Sequence, residues 1–157
     1  MEESAPFSFW CQKMSENELN HLNFHDSVVK NYSKNFQQAE MYVECNESSQ
    51  AIEYYNKYIQ ENEAKSKDVD LATAYDDLGS IFRSQREHIR ALRYHLKSLD
   101  MRKSVCGDNH PDIATSYHNI GMVYFDQGEY NKAREYYLKS LDIRKSVYGD
   151  SHTDIAA

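Results

Sequence analysis

His110 and Asp112 are the first residues of this sequence that could support chemistry, because a histidine oriented by a carboxylate can act as a general base. The same pair recurs 42 positions later as His152 and Asp154. A catalytic site is normally built once, from side chains that converge on a pocket. A pair that recurs along the chain is better explained as part of a repeated turn. We therefore predict no catalytic residue.

Metal and thiolate chemistry can be weighed in the same way. Cys106 lies four residues before His110 and could form a thiolate–imidazole pair with it, but the residue 42 positions after Cys106 is Tyr148. His21 and His25 have the i, i+4 spacing that places two metal ligands on one helix face, yet no third ligand lies near them in the sequence. We predict neither a metal site nor a cofactor.

Composition argues against several classes of partner. The chain carries 18 basic and 25 acidic residues, a net charge of −7, and no basic cluster long enough to follow a phosphate backbone. No stretch reaches the roughly 18 apolar residues of a membrane-spanning helix. Cys11, Cys45 and Cys106 are odd in number and far apart, which favours reduced thiols. We expect a cytoplasmic protein with no nucleic-acid or membrane partner.

The elements that position these residues follow from an internal repeat with a period of 42 residues. Aligning residues 70–115 with residues 112–157 gives 24 identities in 46 positions. The strongest match sets LKSLDMRKSVCGD, residues 96–108, against LKSLDIRKSVYGD, residues 138–150. A period between 20 and 50 residues is typical of arrays of short structural units.

Each repeat is predicted to form two amphipathic helices. In the last full repeat, the first helix runs from about Asp112 to Asp126, and the second follows a break at Gln127 and Gly128. Pro111 is placed to open the first helix, and Gly149 is placed to end the second. The inner stripe of the second helix is predicted to contain Ala133, Tyr136, Tyr137, Leu141, Val147 and Tyr148.

An earlier, degenerate repeat is visible upstream. Ala39 and Ala51 are 12 residues apart, as are Gly79 and Ala91. The resulting domain prediction is a disordered N-terminus at 1–14, an N-terminal helix at 15–30, degenerate repeat 1 at 31–68, repeat 2 at 69–110, repeat 3 at 111–152 and a truncated start of repeat 4 at 153–157.

Residues at fixed positions of the repeat resemble the tetratricopeptide family. The pattern of large, aliphatic, small, aromatic, then small and aromatic residues is carried by Tyr117, Ile120, Gly121, Tyr124, Ala133 and Tyr137. Small residues suit the point where two helices cross closely. The resemblance covers residues 31–157 and implies an all-α, right-handed solenoid of antiparallel helix pairs. The 42-residue spacing is similar to that of kinesin light chains and related scaffolds, whereas HEAT and armadillo repeats would not be expected to place small residues in this way.

In solenoids of this kind the first helices of successive repeats line a concave binding surface. The predicted row in repeat 3 is Thr115, His118, Asn119, Met122, Phe125 and Asp126. The rows before it are Thr73, Asp76, Asp77, Ser80, Arg83 and Ser84, and Ser33, Phe36, Gln37, Glu40, Val43 and Glu44. The candidate peptide-binding residues are Asp76, Asp77, Arg83, His118, Asn119, Met122, Phe125 and Asp126.

These rows contain more acidic than basic residues and a few apolar ones, so the expected ligand is a basic or neutral peptide with an apolar anchor. The resemblance further implies that Asn119 hydrogen-bonds the backbone of a bound peptide. The leading hypothesis is a non-catalytic scaffold or adaptor that binds a protein or peptide. The alternative is a structural or regulatory segment of a larger multidomain signalling protein. The early end of repeat 4 also raises the expectation of self-association through an uncapped C-terminal end.

Overall fold

A computed structural model describes residues 34–65 and 68–149, and the segments predicted as a disordered N-terminus, an N-terminal helix and a truncated fourth repeat lie outside these residues. The described residues form helices connected by turns, with no strand among them, as the sequence predicted. In chain order the helices are α1 (Lys34–Glu44), α2 (Ser48–Asn62), α3 (Val69–Ser84), α4 (His88–Cys106), α5 (Pro111–Asp126) and α6 (Tyr130–Tyr148).

The chain divides into two units, Met1–Tyr58 and Ile59–Ala157, so that the boundary falls within α2. The described part of the first unit contains α1 and most of α2. The second unit contains α3 to α6, which occupy the predicted repeats 2 and 3. The candidate binding residues all belong to this second unit.

The turn within each helix pair has one residue in the left-handed region, at equivalent positions. These residues are Asn46, Arg86 and Gly128, with φ of 60°, 62° and 78°. The turns close alike, because the backbone N–H of Glu87 donates to the carbonyl of Phe82 at 2.9 Å and that of Glu129 donates to Tyr124 at the same distance. A left-handed residue just beyond a helix end satisfies the last carbonyl groups. The break predicted at Gln127 and Gly128 is therefore confirmed.

The connection from α4 to α5 also follows its sequence signals. Gly107 ends α4 with a φ of 77°, and Pro111 occupies the first turn of α5, where a missing N–H costs no helical hydrogen bond. His110 is the residue before the helix, and its Nδ1 accepts a hydrogen bond from the backbone N–H of Asp112 at 3.2 Å. The histidine that recurs in this motif thus caps a helix.

The crossings within the helix pairs are tight, as the small residues predicted. A Cβ atom added at Gly79 would lie 2.7 Å from the ring of His95, and one at Gly121 would lie 2.8 Å from the ring of Tyr137. Real Cβ contacts are essentially never this short. The fully buried Ala91 is the small residue on the opposing helix of the earlier pair.

The core of the second unit extends from α4 into α5. Leu99, Ile113 and Ile120 are buried together. The aromatic positions repeat, because Phe82 stacks on Tyr94 with ring centroids 5.3 Å apart and their equivalents in the next pair stack at 5.4 Å. The partly buried side chains that pack against the cluster are Leu92, Tyr117, Tyr124, Tyr136 and Ile143.

The predicted inner stripe of α6 is correct over only part of the helix. Ala133 is buried, and Tyr137 and Leu141 are half-buried. Val147 and Tyr148 are 38% and 41% exposed, so their expected burial is wrong for the helices that the structure describes. They lie in the last turn of α6.

The first unit differs from two expectations. Phe36 was placed in a solvent-facing row, but only 1% of it is exposed, because its ring packs edge-on against Tyr55 and Tyr58 at centroid distances of 5.8 and 5.1 Å. Cys45 is disulfide-bonded, so the expectation that every cysteine is reduced is wrong at this residue. Cys106, in the second unit, is a free thiol.

Among the described helices, none has the length and apolar character needed to cross a membrane.

Candidate functional site

The predicted binding residues of the second unit lie on α3 and α5, and contacts between the two helices join some of them. Nε of Arg83 donates to Oδ2 of Asp126 over 2.6 Å, and each side chain is about one third exposed, at 33% and 32%. A half-exposed ion pair contributes little stability, but it fixes where the two charges lie. We call the side chains of the predicted rows on these two helices the α3/α5 face.

Asp76 departs from the expectation that it faces solvent, because it is only 8% exposed. Its carboxylate accepts a hydrogen bond from Nδ1 of His95 at 2.7 Å and one from Nδ2 of Asn119 at 2.9 Å. NH1 of Arg102 lies 3.5 Å from the same carboxylate. The negative charge that the sequence assigned to the groove is therefore compensated within the protein.

The pKa of Asp76 reflects these contacts. Burial alone would raise it, but the hydrogen bond from His95, the positive charge of Arg102 and the hydrogen bond from Asn119 together hold the pKa below its usual range. Asp76 is consequently ionised at neutral pH. Because a carboxylate can only accept hydrogen bonds, the Nδ1 atom of His95 carries a proton.

Arg102 extends this group of polar side chains into the next repeat. Only 7% of Arg102 is exposed, and its NH1 donates to Oγ of Ser116 at 2.8 Å and to the carbonyl of Asp112 at 3.3 Å. We call Asp76, His95, Arg102, Ser116 and Asn119 the buried polar network. It connects α3, α4 and α5.

The role expected for Asn119 changes in consequence. One N–H of its amide is used by Asp76, so it is not fully available to a peptide. Its half-buried side chain still has an amide oxygen, which is a hydrogen-bond acceptor.

Sequence reasoning missed the other three members of the network, His95, Arg102 and Ser116. Arg102 recurs as Arg144 in the nearly identical segments of two repeats, but so do the exposed Lys97 and Asp100, so recurrence alone did not single out the arginine.

Two exposed aromatic side chains lie where the α3/α5 face meets the start of α6. Phe125 is 54% exposed and Tyr130, at the start of α6, is 63% exposed, and their rings meet edge-on at a centroid distance of 5.3 Å. Met122 lies one helical turn before Phe125 and is half-buried. The residues equivalent to Phe125 and Tyr130 one repeat earlier are Arg83 and His88, so the packing of the repeat does not require aromatic side chains here. We call Phe125 and Tyr130 the aromatic pair.

His118 occupies the position on α5 that Asp76 occupies on α3. Its ring lies 5.2 Å from that of Tyr137. Burial lowers the pKa of His118, and the nearby charges of Arg144 and Arg83 lower it further. The side chain is thus a neutral imidazole at pH 7. Asp77, the remaining acidic candidate on α3, is half-buried.

A second group of functional side chains lies at the connection from α4 to α5. The ligand atoms of Cys106, His110 and Asp112 are all within 4.8 Å of one another. Sequence reasoning considered the cysteine and the histidine as a pair, but it did not bring in the carboxylate.

A family model described as tetratricopeptide repeat matches residues 70–146 and 112–157. Among curated proteins, no sequence matches this chain significantly.

Solved structures with the same helical architecture include BtubC (BKLC) from P. vanneervenii, at a TM-score of 0.70 and 23% identity over 78% of this chain and 50% of that one. Two crystal structures of MamA match at TM-scores of 0.53 and 0.54 and 24% identity, over 71% and 75% of this chain. The matched region covers 61% and 62% of the MamA chains, so this chain spans less than two thirds of each of these structures. At these identities the comparison establishes the fold alone.

Proposed function

The chain belongs to the tetratricopeptide repeat family, and from this premise we propose that it is a non-catalytic scaffold that binds a segment of another protein on the α3/α5 face. The family match spans residues 70–157, which is 88 of the 157 residues. Tetratricopeptide domains are typically modules that bind proteins or peptides. Beyond this general role, we propose where the binding site lies and what chemistry the partner has.

The observation that carries the proposal is the exposure of the aromatic pair. More than half of Phe125 and of Tyr130 is exposed, although neither position needs an aromatic side chain for packing. Exposed apolar patches rimmed by polar groups commonly mark contact sites, and aromatic residues are enriched at the centres of protein interfaces. The ion pair of Arg83 and Asp126 supplies the polar rim.

The partner is proposed to carry an apolar anchor that covers the aromatic pair. Aromatic side chains often act as interface hot spots because they bury a large area with few rotatable bonds. Met122, one turn away, offers a flexible side chain that can adapt to the anchor. The amide oxygen of Asn119, on the same helix, is proposed to accept a backbone N–H from the partner.

Charge is proposed to make a modest contribution to selectivity. Asp76 is compensated internally and Asp126 is paired with Arg83, so neither is an uncompensated charge that would attract a basic ligand. The net charge of −7 still favours approach by neutral or basic segments over acidic ones. Such long-range attraction is screened by salt, whereas contact with the anchor is not.

We further propose that the chain acts as a cargo adaptor in the manner of kinesin light chains and that it is located in the cytoplasm. The 42-residue spacing supports the adaptor role. Within the predicted rows of the α3/α5 face, Arg83 is the one arginine or lysine, which argues for ligands other than acidic segments. Imaging of a fluorescently tagged chain in cells would test the location.

Fluorescence polarisation with three labelled peptides tests the binding site. The peptides share one aromatic anchor and differ only in neutral, basic or acidic flanks. We expect the acidic peptide to bind most weakly, with differences that shrink as salt is raised. Phe125→Ala should weaken all three peptides by a similar factor, because it removes the contact with the anchor.

Leu138→Ala is the matched control, since Leu138 is 46% exposed on α6 and lies outside the α3/α5 face. It should leave the affinity for every peptide unchanged. If Phe125→Ala binds all three peptides as tightly as the original chain does, the aromatic pair is not the anchor site. If no peptide binds at all, the alternative role as a structural segment of a larger protein gains support.

A further inference from the structure

We propose that Cys106, His110 and Asp112 form a zinc-binding site at the connection between α4 and α5. The sequence alone predicted no metal site, because the pair of His110 and Asp112 was assigned to a repeated turn and Cys106 has no equivalent in the next repeat. The structure brings the three side chains together, with their ligand atoms within 4.8 Å of one another.

The distances between the ligand atoms suit a tetrahedral zinc ion. Nδ1 of His110 and Oδ2 of Asp112 are 3.5 Å apart. Two ligand atoms that each lie about 2.0–2.1 Å from a zinc ion at a tetrahedral angle are separated by about 3.3 Å. Binding zinc through these two atoms therefore requires almost no movement.

The thiol completes the site with a small adjustment. At a Zn–S distance of about 2.3 Å, a tetrahedral angle sets the sulfur about 3.6 Å from a nitrogen or oxygen ligand. Cys106 is the last residue of α4 and is followed by Gly107, so its half-buried side chain lies at a helix end next to a flexible backbone position. Because the sulfur lies within 4.8 Å of the other two ligand atoms, it has to approach each of them by no more than about 1.2 Å.

The histidine is held in the tautomer that zinc requires. Its Nδ1 accepts the backbone N–H of Asp112 at 3.2 Å, so the lone pair is on Nδ1 and the ring proton is on Nε2. A zinc ion at Nδ1 would replace this long hydrogen bond without any change of tautomer.

The identity of the metal follows from the mixture of donors. Calcium and magnesium prefer sites made entirely of oxygen atoms, whereas zinc is commonly bound by thiolate, imidazole and carboxylate together. Three protein ligands leave a fourth position for water or for a group from a partner. Repeat packing does not require the thiol, because the residue equivalent to Cys106 one repeat later is Tyr148.

Isothermal titration of the full chain with zinc chloride, in a buffer that does not chelate metals, tests the proposal. We expect one zinc ion per chain. Cys106→Ser and His110→Asn should each weaken zinc binding by at least about tenfold, since even loss of a group that only supports a ligand typically costs 10–100-fold. His110→Asn leaves a residue that caps helices well, so α5 should remain folded.

Asp108→Asn is the matched control for nonspecific attraction, because Asp108 is a highly exposed carboxylate in the same connection, with 88% of its side chain accessible. It should leave the zinc affinity unchanged. In a parallel titration with cobalt(II), the chain should show the near-ultraviolet charge-transfer absorption of a cobalt–thiolate bond, and Cys106→Ser should abolish it.

The proposal is overturned if Cys106→Ser binds zinc as tightly as the original chain, or if Asp108→Asn weakens binding as much as Cys106→Ser does. Absence of the cobalt–thiolate absorption would also overturn it. Circular dichroism of each variant shows whether the helices remain formed, so that a folding defect is not counted as loss of a ligand.

Discussion

Replacing Asp76 with Asn is the most direct test of the buried polar network. The carboxylate accepts hydrogen bonds from His95 and Asn119 and forms an ion pair with Arg102. An amide of the same size fills the same volume, so the substitution removes charge and acceptor capacity without creating a cavity. Its effect therefore measures the polar contacts alone.

The expected loss of stability depends on which contacts an asparagine at residue 76 can still make. The amide oxygen can accept one hydrogen bond, while the amide nitrogen cannot accept the second and offers no negative charge to Arg102. A hydrogen bond to a charged group contributes about 1.5–3 kcal/mol, and removing one partner of a buried ion pair costs about 3–5 kcal/mol. The contact between Asp76 and Arg102 is long, at 3.5 Å, so breaking this ion pair should cost an energy at the lower end of that range. We expect Asp76→Asn to lower the free energy of unfolding by about 2–4 kcal/mol.

Urea denaturation followed by far-ultraviolet circular dichroism measures this change. Asp100→Asn, at an exposed position of α4, is the matched control and should stay within about 0.5 kcal/mol of the original chain. Arg102→Met removes the buried positive charge itself. In the double variant with Asp76→Asn, the loss of unfolding free energy should therefore be smaller than the sum of the losses in the two single variants. If Asp76→Asn unfolds at the same urea concentration as Asp100→Asn, the network does not carry the stability argued here.

The same substitution has a defined pH dependence. The pKa of Asp76 is depressed in the folded chain, so ionisation of this group stabilises the fold at pH values above about 3.9, the ordinary pKa of an aspartate. That contribution is lost as the pH falls through the depressed pKa. The difference in unfolding free energy between the original chain and Asp76→Asn should therefore be largest near neutral pH and should shrink in acid. A difference that stays constant from pH 7 to pH 3 would contradict this assignment.

Two further predictions use equivalent positions of the two repeats. Gly79→Ala should destabilise the fold by about 1–2 kcal/mol, because the ring of His95 is held by Asp76 and cannot yield. Gly121→Ala should cost less, because the ring of Tyr137 can move and helix propensity improves by up to about 1 kcal/mol, which leaves a contact of 3.3 Å with the backbone carbonyl of Ala133 to be relieved. Equal losses in urea melts would show that the constraint on His95 is irrelevant. Arg86→Gly should stabilise the fold by up to about 1 kcal/mol, because the φ of 62° at this residue suits glycine. At the equivalent residue of the next repeat, Gly128→Ala should destabilise the fold by a similar amount. Melting temperatures that shift in the same direction for both variants would refute this.

The fold was largely predictable because its determinants are local and recur. The 42-residue period, the proline at residue 111 and the glycines at residues 107 and 149 fixed where the helices of repeats 2 and 3 begin and end. Small residues at 79 and 121 marked the crossings. These signals depend on backbone conformation and on excluded volume, which act on each repeat in the same way.

The candidate site was less predictable, because its features depend on contacts between repeats. Asp76 has the spacing of a solvent-facing residue, but it lies where His95 and Arg102 of α4 and Asn119 of α5 converge. Helical periodicity identifies which residues share a face, and it does not show whether a neighbouring helix covers that face. Asp112 was likewise predicted to be part of a repeated turn. Its proximity to Cys106 depends on the path of the connection from α4 to α5, which the sequence does not show.

The buried polar network also has a consequence for the order of the repeats. Repeat 2 supplies the carboxylate of Asp76, and repeat 3 supplies the amide of Asn119 that donates to it. At the equivalent positions the roles are not interchangeable, since repeat 3 has His118 in place of Asp76 and repeat 2 has Asp77 in place of Asn119. If the two repeats were exchanged by recombination, His118 would stand in the place of Asp76 and Asp77 in the place of Asn119, so this hydrogen bond would be lost. The contact between Asp76 and Asn119 is therefore specific to the order in which repeat 2 precedes repeat 3.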